Sequence, residues 1–388
     1  MQEKLTIKNF GPIKDVTLDL KKVNVFIGDQ GTGKSTVAKL INAIRRMSHG
    51  FLEGPLERGM LRRVDQFGKK EDFLSWLKNF GLENYLTDET IIFYKSINFE
   101  YSYSNEESTI NPQNPVIDQG ISFIPAERQI FSLLTTETLF ALQRVEFKLP
   151  DYLSSFGQLF GRINKGKKEF DFTEQLNIKF IPEDGEYFIE LENGKRISIL
   201  ESSSAIQSNI PLLVVFSHQV KNFYSKSGAP TPDGKPFYEQ SGFQYINYYT
   251  VEEPELNLFP ETQHNIIKYI ISRLSLWAND INKFTKQLIL TTHSPYILSS
   301  LNNLMYAHQI GMMTEDKEFI NKVKDIIDPQ FWLDPNDVSC YLMKNDGSCV
   351  PIIDEETKLI DAIKIDGVSE ILNEQFDKLM ALELDLEK

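Results

Sequence analysis

Gly28-Asp29-Gln30-Gly31-Thr32-Gly33-Lys34-Ser35-Thr36 is the stretch on which the fold turns. The run Val23-Asn24-Val25-Phe26-Ile27 before it reads as a buried strand, and Thr36 to Ile44 after it reads as a helix. A glycine-rich loop between strand and helix that closes on Lys-Ser is a P-loop. Its glycines let successive backbone N–H groups turn inward around phosphates, and the helix N-terminus adds partial positive charge. Lys34 then supplies a point charge to the γ-phosphate, and the Ser35 hydroxyl can sit on Mg²⁺. Residues Asp29 to Thr36 are therefore expected to bind a nucleoside triphosphate.

The 388 residues, 41% of them hydrophobic and 12% aromatic, are enough for two or three compact units or one large unit with insertions. No apolar run approaches the roughly 20 residues of a membrane span, and the first residues lack a signal-peptide core, so a cytoplasmic protein is expected. Cys340 and Cys349 flank a predicted turn and are expected to be two ordinary thiols. The net charge of −14 argues against indiscriminate nucleic-acid binding. It is unevenly spread, because residues 1–70 hold 14 Lys/Arg against 7 Asp/Glu. Arg45, Arg46, Arg58, Arg62, Arg63, Lys69 and Lys70 read either as a solvated helical face or as a phosphate-backbone contact.

Residues 4–10 and 15–20 alternate apolar and polar side chains, as half-buried strands joined at Gly11-Pro12 do. The texture is helical from about 50 to 95, and two strand-like runs follow near 91–103. Next comes a polar loop from Ser104 to Pro115, then a strand at 120–124 and a helix over most of 130–145. Residues 185–200 read as a hairpin around Glu192-Asn193-Gly194-Lys195. The stretch 224–240 reads as a surface excursion, and no a/d heptad persists, so a long coiled coil is not expected.

Tyr245 to Val251 is strand-like and ends in Glu252-Glu253-Pro254-Glu255-Leu256. Behind a P-loop, two carboxylates at a strand end suit a phosphate site. Glu252 can hold Mg²⁺, and Glu253 can orient or deprotonate the attacking water. Gln287 to Thr292 is another buried strand, ending in His293-Ser294-Pro295, where a histidine can contact the γ-phosphate.

Together these pieces resemble the ABC-type ATPases of the SMC/RecF/OLD group. Within it the chain is most similar to AAA family ATPases of bacterial defence operons, such as the PARIS- and Septu-type anti-phage systems. The resemblance rests on Ile7-Lys8-Asn9-Phe10-Gly11-Pro12-Ile13, the P-loop, Ile124-Pro125-Ala126-Glu127-Arg128, Val251 to Pro260 and Thr291 to Leu298. It implies an α/β fold of the ABC-ATPase P-loop type. An N-terminal antiparallel β subdomain and a central, mostly parallel sheet flanked by helices would be joined by an inserted helical/β lobe. The expected division is 1–50 for the N-terminal ATPase lobe, 51–200 for the inserted lobe, 201–310 for the C-terminal ATPase lobe and 311–388 for a hairpin and helix completing the unit.

The resemblance also implies roles for single residues. Lys34 and Ser35 match the P-loop lysine and magnesium hydroxyl, Glu252 the Walker B acid, Glu253 the catalytic base and His293 the switch histidine. Glu255 to Leu258 falls at the D-loop. A signature that reaches the partner's nucleotide in trans is matched by Ser202-Ser203-Ser204-Ala205-Ile206-Gln207, with Ser203, Ser204, Ala205 and Gln207 as contacts. A serine-rich helix N-cap is the plainer reading of that stretch. The family usually has glycine at Ala205, and an added methyl there would crowd the trans nucleotide or strain a backbone needing positive φ. Gln129 is expected as the Gln-loop residue on Mg²⁺, with Arg128 reaching phosphate or the partner subunit.

The cofactors implied are ATP and Mg²⁺, and the assembly implied is a homodimer or higher homo-oligomer around ATP. Only about 95 residues follow His293, too few and wrongly patterned for a Toprim nuclease, so the chain is expected not to cut nucleic acid itself. Its expected role is to control a separate Toprim or HNH nuclease or toxin effector encoded nearby, triggered by DNA or a phage protein. The second reading is a RecF-like maintenance ATPase that binds duplex DNA through the basic stretch.

Overall fold

The computed structural model describes residues 3–52, 70–113, 116–134, 149–166, 169–227, 244–275 and 284–361. The alternating N-terminal runs form β1 (Glu3–Phe10) and β2 (Ile13–Leu20), paired antiparallel with Leu5 opposite Leu18 and Ile7 opposite Val16. The sharp reversal between them uses Gly11 at φ +53°. β3 (Val23–Ile27) is buried at all five positions, as a strand covered on both faces must be, and leads into the P-loop and α1 (Lys34–Leu52). After α2 (Lys70–Asn79), β4 (Ile91–Lys95) pairs with the free edge of β1, and β5 (Phe99–Ser104) and β6 (Glu107–Pro112) extend that sheet to the order β2-β1-β4-β5-β6. The polar loop expected over 104–115 is thus mostly strand. Asn105 and Glu106, both at positive φ, make a two-residue hairpin turn without the glycine that signals one.

The central sheet draws on the whole chain. β7 (Val116–Ile124) lies at one edge of it. A separate sheet follows, β8 (Phe170–Phe172), β9 (Ile178–Glu183), β10 (Glu186–Leu191) and β11 (Arg196–Ser198), preceded by α3 (Asp151–Gly166). After α4 (Ser204–Ser227), β12 (Gln244–Glu252) runs parallel to β7, and after α5 (Pro260–Ser275), β13 (Phe284–Thr292) runs parallel to β12 and β3. Beyond α6 (Pro295–Met312) and α7 (Lys317–Ile326), β14 (Val338–Met343) pairs parallel with β3, and β15 (Cys349–Pro351) closes the edge antiparallel. The order is β15-β14-β3-β13-β12-β7, a mostly parallel sheet as expected.

Residues 51–200 contribute strands to three sheets. Their hydrogen-bonded ladders divide them, with β4 to β6 joining the N-terminal sheet, β7 the central sheet and β8 to β11 a sheet of their own. The expected 185–200 hairpin is formed by β10 and β11 and is half of a four-stranded sheet. The helix expected over 130–145 is described only as the short turns Ala126–Gln129 and Ile130–Leu133. Its remainder, most of the 224–240 excursion, the basic residues Arg58 to Lys69 and the helix expected to end the 311–388 unit lie outside the described residues.

The two faces of the central sheet have different covers. Phe26, Phe123 and Ile289 pack with Val37, Leu40, Ile41 and Ile44 of α1 and with Leu5, Ile7 and Leu18 of the antiparallel sheet. Val25, Val251 and Leu290 pack on the other side with Leu212, Val215 and Phe216 of α4, Ile266 and Ile270 of α5, and Ile297 and Leu301 of α6. Each such side chain contributes about 1.5–3 kcal/mol by leaving water.

One ionic cluster crosses the first interface. Arg45 of α1 donates to the Glu3 carboxylate at 2.7 Å and to the Tyr94 hydroxyl at 3.0 Å, and also meets Gln287. Its guanidinium lies 3.9 Å from the centroid of the Tyr248 ring, while the Gln287 amide and the Tyr248 hydroxyl also donate to Glu3. Arg45 and Glu3 are wholly buried, and Arg46 lies over the Phe80 ring. Arg45 is therefore an internal tie and not part of a solvated face. Cys340 and Cys349 are free thiols, and no helix among the described residues is long and apolar enough to cross a membrane.

Candidate functional site

The P-loop sits at the C-terminal end of β3, where parallel neighbours β13 and β12 also deliver their functional residues. Gly31 and Gly33 adopt φ +81° and +98°, conformations that an L side chain resists. A Cβ on Gly28 would run into the carbonyl oxygen of Met343 at the end of β14, so that position needs glycine for packing as well. Lys34 curls back over the loop, donating to the Gly28 and Asp29 carbonyls at 2.7 Å each. Burial pushes its ammonium down to about 8, against the pull of Glu253, Asp29 and Glu255. Thr32 donates its hydroxyl to the Asp29 carbonyl, and Asn345 of the β14–β15 turn reaches the Asp29 carboxylate at 3.1 Å. Gln30 and Gly31 are exposed at the loop tip, and Thr36 is buried at the start of α1.

Glu252 ends β12 and is 1% exposed. The Ser35 hydroxyl lies beside its carboxylate, the Ala126 N–H lies 3.4 Å from Oε2, and Oε1 is buried with no partner. Burial pushes this carboxyl up to about 7, with the Lys39 ammonium and Ser35 pulling the other way. A hard, unsatisfied carboxylate oxygen beside a hydroxyl is what a magnesium ion uses when phosphates and water complete its octahedron. The residues fit the ion.

Glu253 follows with φ +45°, a strained backbone for a non-glycine residue, its N–H bound to the Thr291 carbonyl at 2.9 Å. Its Oε1 lies 3.5 Å from His293 Nε2, and His293 Nδ1 lies 3.4 Å from Lys34 Nζ. The histidine ring thus bridges the acidic turn and the P-loop lysine. Glu255 fixes the backbone under the histidine, accepting from Thr292 Oγ1 at 2.8 Å and His293 N at 2.7 Å. Ser294 caps α6 by accepting from the Tyr296 N–H, with Pro295 at the first helical position.

The other expected contacts divide. Ser203 and Ser204 are exposed and Ala205 half-exposed at the start of α4, an N-terminus able to receive an anion. Ala205 lies inside the helix and is not among the positive-φ residues, so its methyl carries no backbone strain. Gln207 does not face outward with them. It is buried, and its amide donates to the carbonyls of Ile199, Leu200 and Ser202, holding the turn that carries the serines. Gln129 does not join Ser35 and Glu252 either, because its amide is engaged by Gln207 and Ser208 at 3.2 and 3.3 Å. Arg128 reaches neither phosphate nor a surface. It is wholly buried and donates to the carbonyls of Ser208, Pro125, Glu252 and Glu253.

Two groups beside Glu252 escaped the sequence reading. Lys39, one turn beyond Ser35 on α1, donates to the Tyr152 hydroxyl at 3.3 Å, and that hydroxyl donates to Glu127 at 3.2 Å. The four-residue spacing from Ser35 was the available signal for Lys39. Nothing local announced Tyr152, which arrives on α3 from more than a hundred residues away.

The sequence matches the AAA ATPase domain family over residues 1–114 and 129–298. No curated protein matches it. Among solved structures, the SMC head domain from Thermotoga maritima is similar at 13% identity over 91% of this chain and 99% of that one, with a TM-score of 0.39. The recombination mediator protein RecF gives 13%, 91%, 98% and 0.36. A nucleotide-free ATP-binding cassette from an ABC transporter gives 13%, 90%, 90% and 0.35. At these scores the likenesses carry no argument about this chain. The family match alone spans both the loop that ends β3 and the acidic turn that ends β12, and this chain belongs to the AAA ATPase domain family.

Proposed function

We propose that the chain hydrolyses ATP to ADP and phosphate, with Asp29 to Thr36 holding the phosphates. The observation that carries this is the convergence, at one end of the parallel sheet, of Lys34, His293 and Glu253 beside the buried, unsatisfied carboxylate of Glu252. Lys34 exchanges the Gly28 and Asp29 carbonyls for phosphate oxygens. Ser35 and Glu252 would hold Mg²⁺, which when bound offsets phosphate charge. Glu253 accepts a proton from the attacking water, and His293, held by Glu255, contacts the γ-phosphate.

Two copies closing around ATP, each offering Ser203 and Ser204 to the other's nucleotide, would complete the site. The wider role follows from the resemblance of the motifs. The protein acts in the cytoplasm as an ATP-driven sensor that restrains or releases a separate nuclease or toxin effector in anti-phage defence, and cuts nothing itself. The test is expression from the native locus with a tag on this chain, followed by identification of stoichiometric partners with and without ATP. Co-purification of a nuclease or toxin subunit that ATP releases or activates is the expected result. A lone homodimer whose ATPase rises with duplex DNA would replace this role with a RecF-like one.

A further inference from the structure

The end of β12 and the head of α4 are stitched into one body. Arg128 Nη1 donates to the Glu252 carbonyl at 2.6 Å and to the Pro125 carbonyl at 3.1 Å. Nη2 donates to the Glu253 carbonyl at 2.8 Å, and Nε to the Ser208 carbonyl at 2.9 Å. Around this guanidinium, Asn257 Nδ2 donates to Ser208 Oγ at 2.7 Å and Asn209 Nδ2 to the Leu256 carbonyl at 3.0 Å. Arg128, in the turn after Pro125, thus ties the Glu252 and Glu253 backbone to the Ser208 carbonyl, and the Asn257–Ser208 and Asn209–Leu256 bonds join the same acidic turn directly to the first turns of the helix that begins with the exposed serines. The helix head has a second tether. Pro211 lacks the N–H that would bind the Gln207 carbonyl, and the Ser132 hydroxyl takes that carbonyl at 2.6 Å instead.

We propose that Arg128 is a positioning residue for hydrolysis, holding Glu253 in its left-handed conformation and passing displacement of the Ser202–Gln207 turn to that carboxylate. A fully buried guanidinium spent on four main-chain carbonyls fixes backbone rather than neutralising a side chain. The backbone it fixes includes Glu253 at φ +45° and Asn257 at φ +61°, two residues held where the chain alone would not stay. A ligand pressing on Ser203 or Ser204 therefore bears on a unit that contains the base. The proposal rests on the assignment of Glu253 as that base.

Arg128→Lys keeps the charge but cannot span the four carbonyls. Asn257→Gly keeps the positive φ while removing the tether to Ser208. Full-length variants are compared by steady-state ATPase and by affinity for a fluorescent ATP analogue, each alone and in the Glu253→Gln background. Arg128→Lys is expected to lower kcat on the order of tenfold to a hundredfold, and Asn257→Gly several-fold, with analogue affinity unchanged within about twofold. Neither should lower turnover further once the Glu253 carboxylate is gone. Wild-type kcat in folded Arg128→Lys and in Asn257→Gly would overturn the proposal, as would equal fold-losses with and without the carboxylate. Should Arg128→Lys fail to fold, Asn257→Gly gives the same two-way answer. Wild-type turnover in Glu253→Gln alone would remove the base assignment and the proposal with it, an outcome separable from the others because it needs no Arg128 variant.

Discussion

Arg45 and Arg128 are both wholly buried arginines, yet the regions they hold together are built on different principles. Arg45 meets side chains, namely a carboxylate, phenols and an amide, and joins β1, α1, β4, β12 and β13 at the end of the molecule away from the P-loop. Arg128 meets only main-chain carbonyls and joins the acidic turn to the serine-bearing helix. Pairing charge with charge fixes which sheet lies on which helix. Pairing charge with backbone fixes where a reacting group stands. Damage at the first region should therefore appear in stability, and damage at the second in turnover.

The largest expected effect breaks the first region. Arg45→Met leaves the Glu3 carboxylate buried without its cation, and should cost about 3–5 kcal/mol of stability, read by denaturant unfolding. ATP affinity of the remaining folded protein should match wild type, and a selective loss of affinity would erase the distinction. At the second region, Glu253→Gln should slow hydrolysis on the order of 10²–10³ with an unchanged melting temperature. Equal turnover would sink the assignment of the base.

A smaller effect sharpens the comparison through Lys286, another buried cation, which donates to the Arg273 and Leu274 carbonyls at the end of α5. Burial, with Lys22 nearby, pushes its ammonium from 10.5 down to about 7. The folded value lies below the unfolded one, so the penalty is full below about pH 7 and fades as pH rises toward 10.5. Lys286→Met should flatten the rise in melting temperature over that window. A slope identical to wild type would show that the ammonium is not the source. The smallest effect is expected from Ala205→Gly, which should cost no more than about 1 kcal/mol of helix stability and leave kcat as it was. A marked gain in turnover would mean that the methyl does obstruct the nucleotide.

The legibility of these regions in the sequence follows from how local their causes are. The P-loop, the Glu252-Glu253 turn and the His293 turn each sit within a strand and its following residues, where periodicity and glycine placement speak directly. The three-sheet partition of residues 51–200 was not legible, because whether β4 extends β1 or forms its own lobe depends on which edge is free. Arg45 reads in sequence with the surrounding basic residues because its partner Glu3 lies on β1, a different element more than forty residues away. Arg128, Gln129 and Gln207 read in sequence as contacts for metal or nucleotide, whereas in the structure Arg128 meets four main-chain carbonyls, Gln129 meets α4 and Gln207 meets the turn before it. A buried polar network is invisible until distant residues are brought side by side, and the motif resemblance could not supply it.

The position of β14 has a consequence for the order in which the protein is made. β3, which carries the P-loop, is flanked by β13 and β14, and the second of these is synthesised roughly 300 residues later. At synthesis rates of about 5–20 residues per second, β3 waits on the order of 15–60 s on the ribosome before its last neighbour emerges. Contacts so far apart in sequence also form slowly once both ends exist. Until then the Met343 carbonyl is not packed against Gly28, and Asn345 does not reach Asp29. A nascent chain thus carries the phosphate-binding sequence early and its finished geometry late.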